Sequence, residues 1–271
     1  MKFLFDAKMA TVLVGPEETK FVIHQALLCD KSKYFAKALT GSFEEGTTGI
    51  VRLEDVSPVL FKIVVSWLYW GKIAYSVSDD DLSIDQGFKK LKREDDKFSE
   101  NLNADDTSTW PIHILVRLYI LADRLDIKDL RNDIIDALVT SAEKSGIGLR
   151  VYSYKLIDSD TTAESPLRKF AVDRLAYGAR HNMEHRGFWR DIPQDMAVTA
   201  LLLSCRRVPH TLCNSCYQKG LAHNGIKLAA DHPCKNEDKK PLMVNACVYH
   251  EHADDEETKL CQVSRDKTVK K

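Results

Sequence analysis

The sequence predicts an α/β fold of the α+β kind, in which a small sheet packs with a cluster of α-helices. A helical extension and a small Cys/His-rich tail follow. Three observations support this prediction. Short segments of alternating apolar residues lie near the N-terminus, stretches with apolar residues at helical spacing follow them, and five of the seven cysteines fall after residue 212.

The first two strands are predicted to form a hairpin. Residues 10–15 are rich in β-branched side chains and end at Gly15-Pro16, which is a turn signal. Residues 20–24 alternate apolar and polar side chains, as a half-buried strand does. The short polar segment between them has the length of a β-hairpin loop.

Two short helices are predicted after the hairpin. From Gln25 onward the apolar residues are three to four apart, which is helical spacing. The pattern breaks at residues 30–32, where Asp30 or Ser32 could cap the next helix. His24 lies where strand meets helix. We interpret it as a structural histidine whose ring satisfies neighbouring backbone groups, because no nucleophile or acid accompanies it.

A third strand and a well-marked helix come next. Residues 50–53 alternate in polarity and are predicted to be a strand. Ser57 is a good N-cap, and Pro58 suits the first position of a helix because its missing N–H costs nothing there. Gly71 should end this helix. Residues 72–77 are predicted to form another short strand.

The following segment changes character. Residues 78–109 are acidic and poor in large apolar side chains, which is typical of a solvated, disordered insertion. Apolar stripes at helical spacing resume over residues 112–125 and again over 130–138. Asp126 is predicted to cap the second of these helices.

Three segments together resemble a known family. FVIHQALLCDKSKYF (residues 21–35), DVSPVLFKIVVSWLYWGKI (55–73) and HILVRLYILADRLDIKDLRNDIIDAL (113–138) resemble, in order and spacing, a BTB/POZ domain of the type found in filamentous fungi. The resemblance covers residues 6–140, with the acidic insertion inside it. It implies a protein-interaction fold of intracellular proteins.

The rest of the chain is predicted to be a helical extension over residues 141–205 and a Cys/His-rich tail over residues 206–271. Within the extension, residues 141–164 contain polar stretches that indicate loops. Helices are predicted over residues 166–179, after a Ser-Pro start, and within residues 189–204.

Composition and charge argue against nucleic acid and membrane as binding partners of the whole chain. The chain is 44% hydrophobic and 29% charged, with a formal net charge of −1, so nothing indicates a chain-wide surface for nucleic acid or anionic membrane. No apolar run is long enough for a membrane helix, and the N-terminus is a poor signal peptide. We therefore expect an intracellular protein of the cytoplasm, the nucleus or both, with no membrane partner.

The tail carries the strongest chemical pattern. Cys213 and Cys216 form a Cys-x2-Cys pair, and Cys247 and His250 form a Cys-x2-His pair, with 30 residues between the pairs. Each pair offers two ligands from one tight turn, so the sequence predicts one structural Zn²⁺ with no open position for water. Two alternatives stay open: incidental cysteines in a flexible tail, and redox chemistry at the first pair. Other candidate ligands are His223, His232, Cys234, His252 and Cys261.

A candidate partner-binding motif lies in residues 41–49, which are predicted to be a loop. Phe43, Glu44 and Glu45 place an apolar anchor beside two carboxylates. In BTB adaptors that recruit a cullin-type ubiquitin ligase scaffold, a hydrophobic-x-Glu element at this place contributes to the contact, so the resemblance implies the same role here. The alternative is that Phe43 packs locally and the carboxylates are solvated.

We therefore expect a protein–protein interaction adaptor or scaffold without catalysis, since the sequence has no phosphate-binding loop, dinucleotide fingerprint or nucleophile elbow. One alternative is a substrate adaptor for a cullin-type ubiquitin ligase, and a second is a zinc-dependent nuclear or transcriptional regulator. The resemblance implies homodimerisation, but the short segment before the first strand argues against a dimer that exchanges N-terminal elements.

Overall fold

A computed structural model describes residues 8–74, 106–107, 110–145, 149–178, 186–207 and 246–268. The chain divides into two compact units, Met1–Ile147 and Gly148–Lys271. The three-part division at residues 140 and 205 that the sequence suggests stays a prediction.

The sheet of the first unit has three strands in the order β2–β1–β3. The central strand β1 (Met9–Val14) pairs antiparallel with β2 (Thr19–His24), and the first residue of β1 lies opposite the last residue of β2. On its other side β1 pairs in parallel with β3 (Ile50–Leu53), which begins opposite Thr11. The predicted hairpin and third strand are confirmed.

One face of this sheet forms part of the core, because alternate residues of a strand point to the same side. The buried side chains of the three strands are Ala10, Val12, Val14, Ile23, Val51 and Leu53. Phe61 is fully buried. Its ring lies edge-on to the rings of Phe21 and Phe35, with centroid distances of 5.0 and 6.4 Å. Such edge-to-face contacts add to the stabilisation that comes from apolar burial.

Ser32 divides the helical segment after the sheet, as predicted. α1 (Gln25–Lys31) ends before it and α2 (Lys33–Thr40) begins after it. Its hydroxyl accepts a hydrogen bond from the Phe35 N–H at 3.1 Å, which is an N-cap contact, and donates to the Leu125 carbonyl at 2.5 Å. One buried serine therefore caps a helix and ties it to a distant part of the chain.

The helix predicted after β3 is confirmed as α4 (Pro58–Trp70). The Ser57 hydroxyl accepts a hydrogen bond from the Leu60 N–H at 3.3 Å. Gly71 ends the helix with a φ of 66°, a left-handed conformation in which any residue with a Cβ is strained. Ser57 and Gly71 thus begin and end this helix through the capping interactions that the sequence predicts.

The strand predicted over residues 72–77 is wrong for residues 72–74, which have no regular structure. The Ser66 hydroxyl donates a hydrogen bond to the Ala74 carbonyl at 2.6 Å, so the chain here returns along α4. The central strand already has a neighbour on each side. Residues 75–77 lie outside the described residues.

Two long helices complete the first unit. The predicted pair is confirmed as α5 (Ile112–Arg124) and α6 (Lys128–Ser145). Asp126 does not cap α6, because it lies one residue too early and has a left-handed φ of 48°. Its carboxylate instead lies 3.5 Å from the Arg131 guanidinium.

The second unit is helical in its described parts. Its elements are α7 (Val151–Asp160), α8 (Pro166–Gly178), α9 (Arg186–Asp191), α10 (Gln194–Arg207), a 3-10 turn (Ala246–Tyr249) and α11 (Asp255–Thr268). The two helices that the sequence predicts here are confirmed as α8 and α10.

The loops predicted for the polar stretches within residues 141–164 are wrong for residues 141–145 and 158–160, which are helical, and residues 161–164 have no helix or strand. α6 continues to Ser145, and α7 occupies ten residues of the remainder. Tyr154 and Ile157 are fully buried and three residues apart, as on the inner face of a helix. The surrounding polar residues mask this short apolar stripe in the sequence.

Two further sequence predictions concern the acidic insertion and the membrane. Residues 78–109 lie outside the described residues, apart from Asp106 and Thr107, so the insertion stays a prediction. Within the described ranges, no helix has the length and apolar character needed to cross a bilayer.

Candidate functional site

An aromatic side chain is exposed at the start of α3 (Glu44–Thr48). Phe43 is the N-cap residue of this helix and is 66% exposed. Glu44 and Glu45 follow in the first helical turn. The loop predicted for residues 41–49 is therefore wrong at this helix. The three candidate partner-binding residues lie together on it, and we call them the Phe43 surface.

Backbone hydrogen bonds hold α3 in place. Gly49 ends the helix with a φ of 68°, and its N–H donates to the Glu45 carbonyl at 2.8 Å. The Gly49 carbonyl in turn accepts a hydrogen bond from the Thr11 N–H of β1, also at 2.8 Å. Carboxylates in the first turn are favoured by the positive end of the helix dipole. The Phe43 surface thus stands on a segment fixed to the sheet.

An ion pair lies in the electrostatic neighbourhood of Tyr34. Arg124 contacts the Asp55 carboxylate at 2.6 Å, and this hydrogen bond lowers the pKa of Asp55. Burial raises the pKa of the Tyr34 hydroxyl, Arg124 lowers it, and the Glu45 and Asp55 carboxylates raise it. Charges of both signs therefore act on the Tyr34 hydroxyl.

His24 has the structural role that the sequence suggests, through a different partner. Its Nδ1 lies 2.8 Å from the Tyr69 hydroxyl, and its backbone N–H donates to the same oxygen at 3.3 Å. The two rings meet edge-on at 5.8 Å. The histidine thus joins β2 to α4 through a side-chain hydroxyl, whereas the sequence led us to expect backbone groups.

Four sulfur and nitrogen ligands converge in the second unit. One ligand atom from each of Cys247, His250, His252 and Cys261 lies within 4.8 Å of all the others. We call these four residues the Cys/His cluster. Nε2 of His252 lies 2.9 Å from the Cys247 sulfur, and Nδ1 of His250 lies 3.4 Å from the Cys261 sulfur. This donor set could hold a metal ion.

The 3-10 turn explains how the first two ligands meet. In a 3-10 helix the side chains of residues i and i+3 lie above one another. Cys247 and His250 have this spacing, and the His250 N–H donates to the Cys247 carbonyl at 3.1 Å. Tyr249 lies between them in sequence and is buried.

The start of α11 brings the last ligand back to the others. The Glu257 N–H donates to the Asp254 carboxylate at 2.8 Å, and the Glu257 carboxylate accepts from the Ala253 N–H at 2.6 Å. This reciprocal pair resembles a capping box and fixes the turn after His252. Cys261 then lies about two helical turns beyond Asp254.

Tyr249 anchors the 3-10 turn to α8. Its hydroxyl donates to the Asp173 carboxylate at 2.8 Å, and its ring lies edge-on to Phe170 at 5.7 Å. Lys169 donates to the Val248 carbonyl at 3.1 Å and lies 5.6 Å from the centre of the tyrosine ring. The chain between Cys247 and His250 is therefore held in one position.

Burial is the largest cause of the pKa shifts of Asp173 and Tyr249. It raises the pKa of Asp173, while the hydrogen bond from Tyr249 and the charge of Lys169 act in the opposite direction. Burial also raises the pKa of Tyr249, and the neighbouring carboxylate raises it further. Tyr249 is therefore a hydrogen-bond donor at neutral pH.

Residues 3–93 match the BTB/POZ domain family. The chain contains a BTB/POZ domain. No curated protein gives a significant match to the chain. The matched residues include the sheet, α1 to α4 and the Phe43 surface. BTB domains mediate protein–protein interactions, so the predicted fold class and the predicted interaction module are confirmed. The filamentous-fungal type and the Cys/His tail as a feature of the family stay predictions.

Outside the BTB domain, some of the predicted zinc ligands converge and others lie outside the described residues. The structure brings Cys247 and His250 together with His252 and Cys261, which the sequence names only as alternates. Cys213 and Cys216 lie outside the described residues, so their role stays a prediction. The same holds for the other candidates, which are His223, His232 and Cys234.

Proposed function

We propose that this chain is a protein-interaction adaptor or scaffold that performs no catalysis. The BTB domain supplies the partner-binding surface, and one structural Zn²⁺ stabilises the C-terminal part of the second unit. The observation that carries the adaptor proposal is the exposure of Phe43 on a helix whose backbone is hydrogen-bonded to the sheet.

The Phe43 surface has the physical properties of a small binding hot spot. Aromatic residues often dominate binding energy, because they bury a large area while losing few rotatable bonds. The backbone under Phe43 is already ordered, so binding loses little further conformational freedom. Glu44 is exposed beside the ring and offers a carboxylate to a hydrogen-bond donor of the partner.

The proposed partner is a cullin-type ubiquitin ligase scaffold. Phe43, Glu44 and Glu45 supply the hydrophobic-x-Glu pattern of BTB adaptors that bind such scaffolds, and they form the start of one short helix. In this proposal the ring enters an apolar pocket of the scaffold, and the carboxylates meet donors at its rim.

The test is a pulldown of purified full chain by the amino-terminal domain of a cullin. We expect wild type to bind, and Phe43→Ala to weaken binding by about tenfold or more, which is the effect of losing a hot-spot residue. Glu45→Ala should weaken binding less, since it removes a charge and leaves the apolar anchor in place.

Trp70→Ala is the matched control, because Trp70 is also a large exposed aromatic side chain of the first unit. It should bind like wild type. Absence of binding by wild type would exclude the cullin scaffold as partner. Equal losses for Trp70→Ala and Phe43→Ala would show that the Phe43 surface is not the contact.

A structural role suits the Cys/His cluster better than a catalytic one. Four protein ligands fill a tetrahedral Zn²⁺ and leave no position for a reactive water. α11 begins with three acidic residues, Asp255, Glu256 and Glu257, which would repel a phosphate backbone. This charge disfavours the alternative of a zinc-dependent module that binds nucleic acid through this helix.

A further inference from the structure

We propose that Cys247, His250, His252 and Cys261 form a complete Zn²⁺ site by themselves, without Cys213 or Cys216. This inference rests on the structural Zn²⁺ of the proposed function and identifies its ligands. It also gives the ion a structural role, which is to join the anchored 3-10 turn to α11.

Two nitrogen–sulfur separations in the cluster are close to those around one tetrahedral ion. With Zn–S of about 2.3 Å and Zn–N of about 2.0–2.1 Å, a sulfur and a nitrogen on the same ion lie about 3.6 Å apart. The His250–Cys261 separation is 3.4 Å, and the Cys247–His252 separation is 2.9 Å. The second pair would have to move apart by about 0.7 Å to reach this separation.

The chemistry of the donors selects the ion. Two thiolates balance the charge of a divalent cation, and two neutral imidazoles complete a tetrahedral set of two sulfurs and two nitrogens, which is typical of zinc. Nδ1 of His252 is buried and has no hydrogen-bond partner among the described residues. The other ring nitrogen, Nε2, lies 2.9 Å from the Cys247 sulfur, so we assign Nε2 as the atom that binds the ion.

The side chains that the structure describes in α11 provide no apolar burial for this helix. Of residues 255–262, whose side chains the structure describes, none is buried, and Leu260 is 71% exposed. Helices in proteins owe most of their stability to packing of an apolar face. A metal bond at Cys261 would attach this helix to the 3-10 turn.

The other end of the attachment is already rigid. Tyr249 fixes the 3-10 turn to α8 through its buried hydrogen bond to Asp173. An ion held by Cys247 and His250 is therefore fixed to α8, and Cys261 fixes α11 to the ion. Loss of the metal should release α11 and leave the BTB domain folded.

The experiment measures zinc in full-length protein purified under reducing conditions. Wild type should carry a tightly bound Zn²⁺, and the visible spectrum of Co²⁺-substituted protein should show a tetrahedral ion with thiolate ligands. His252→Ala and Cys261→Ser should each lose one equivalent. The double variant Cys213→Ser/Cys216→Ser should keep that equivalent, and Cys29→Ser serves as the thiol control in the BTB domain.

A conservative variant separates ligation from folding. His252→Cys keeps a ligand at this position, so it should retain zinc where His252→Ala does not. Chelation of wild type should speed amide hydrogen exchange in α11, while exchange in β1 to β3 stays slow. Each of these results is specific to a metal bond at this position.

The contrary outcomes are distinct. Wild type with less than about half an equivalent of zinc would overturn both this ligand set and the structural zinc of the proposed function. Loss of all zinc in the Cys213/Cys216 double variant, or its retention in His252→Ala, would overturn this ligand set alone. Exchange in α11 that chelation leaves unchanged would overturn the role of the ion in attaching this helix. None of these results bears on the adaptor function of the BTB domain.

Discussion

In the BTB domain the candidate binding surface rests on a core of apolar side chains, whereas in the second unit the Cys/His cluster rests on a polar anchor. α3 is hydrogen-bonded to a sheet whose inner residues are almost fully buried. The 3-10 turn is attached to α8 by a buried tyrosine–carboxylate hydrogen bond and a lysine contact, together with the edge-on contact between the Tyr249 and Phe170 rings.

This difference has consequences for how each region fails. Apolar burial is non-directional and is spread over many side chains, so the BTB domain should respond to the volume of its core residues. A buried hydrogen bond and a metal site depend on a few atoms in fixed positions. The second unit should therefore respond to the loss of single polar atoms.

The largest expected effect tests the apolar side of the comparison. Phe35 is fully buried and its ring contacts the Phe61 ring, so Phe35→Ala should destabilise the BTB domain by about 3–5 kcal/mol. Phe43→Ala is the matched control at an exposed phenylalanine and should change stability by less than about 0.5 kcal/mol. Urea unfolding of both variants measures the difference.

The two variants should also differ in function. Phe43→Ala should keep the stability of wild type and lose partner binding, whereas Phe35→Ala should lose stability. A stability loss for Phe43→Ala close to that for Phe35→Ala would show that Phe43 belongs to the core. Phe43 would then support the fold as Phe35 does, and would not form a binding surface separate from the core.

Much of the BTB domain could be predicted because its boundaries are encoded locally. Ser32, Ser57 and Gly71 each act on residues within four positions of themselves. The alternation of residues 72–77 is also local, but strand formation needs a free sheet edge in a suitable place. The edges of the described sheet are β2 and β3, but residues 72–74 pair with neither and instead lie along α4, where Ser66 donates a hydrogen bond to the Ala74 carbonyl.

The Cys/His cluster could be predicted only in part, for a similar reason. The pairing of Cys247 with His250 follows from their spacing within one turn. The approach of Cys261 depends on the angle at which α11 leaves the chain, and the hydrogen bonds of Asp254 and Glu257 set this angle. Spacing alone does not give the direction of a helix.

A smaller effect tests the polar side of the comparison. Tyr249→Phe removes the hydroxyl that donates to the buried Asp173 carboxylate, and it should destabilise the second unit by about 1–3 kcal/mol. The control is Tyr154→Phe, because the Tyr154 hydroxyl is buried with no hydrogen-bond partner among the described residues. Its removal should leave stability unchanged or raise it by up to about 1 kcal/mol.

Native-state hydrogen exchange of the α8 amides gives both values, since it reports the free energy of opening of this unit separately. Equal losses for the two tyrosine variants would show that packing of the rings, and not the hydrogen bond to Asp173, holds the 3-10 turn. The contrast between apolar and polar support would then be much weaker than the structure indicates.

The smallest effect concerns the exposed ion pair between Asp55 and Arg124 in the first unit. The hydrogen bond from Arg124 lowers the folded-state pKa of Asp55 below its ordinary value of 3.8. A lowered pKa means that the pair stabilises the fold above the unfolded-state pKa, and that this contribution is lost as the pH falls through the folded-state value. The two side chains are 70% and 45% exposed, so solvent limits the contribution to about 0.2–1 kcal/mol.

Asp55→Asn should therefore be less stable than wild type by up to about 1 kcal/mol at pH 7, and the gap should close as the pH falls below 3.8. Urea unfolding across this range measures it, with Glu54→Gln as the control for loss of an adjacent exposed carboxylate. A gap of several kcal/mol at pH 7 would mean that an electrostatic contact, and not apolar burial alone, supports the first unit. A gap near zero for both variants at every pH would leave the apolar core as its support, because a surface pair of this exposure can contribute nothing measurable.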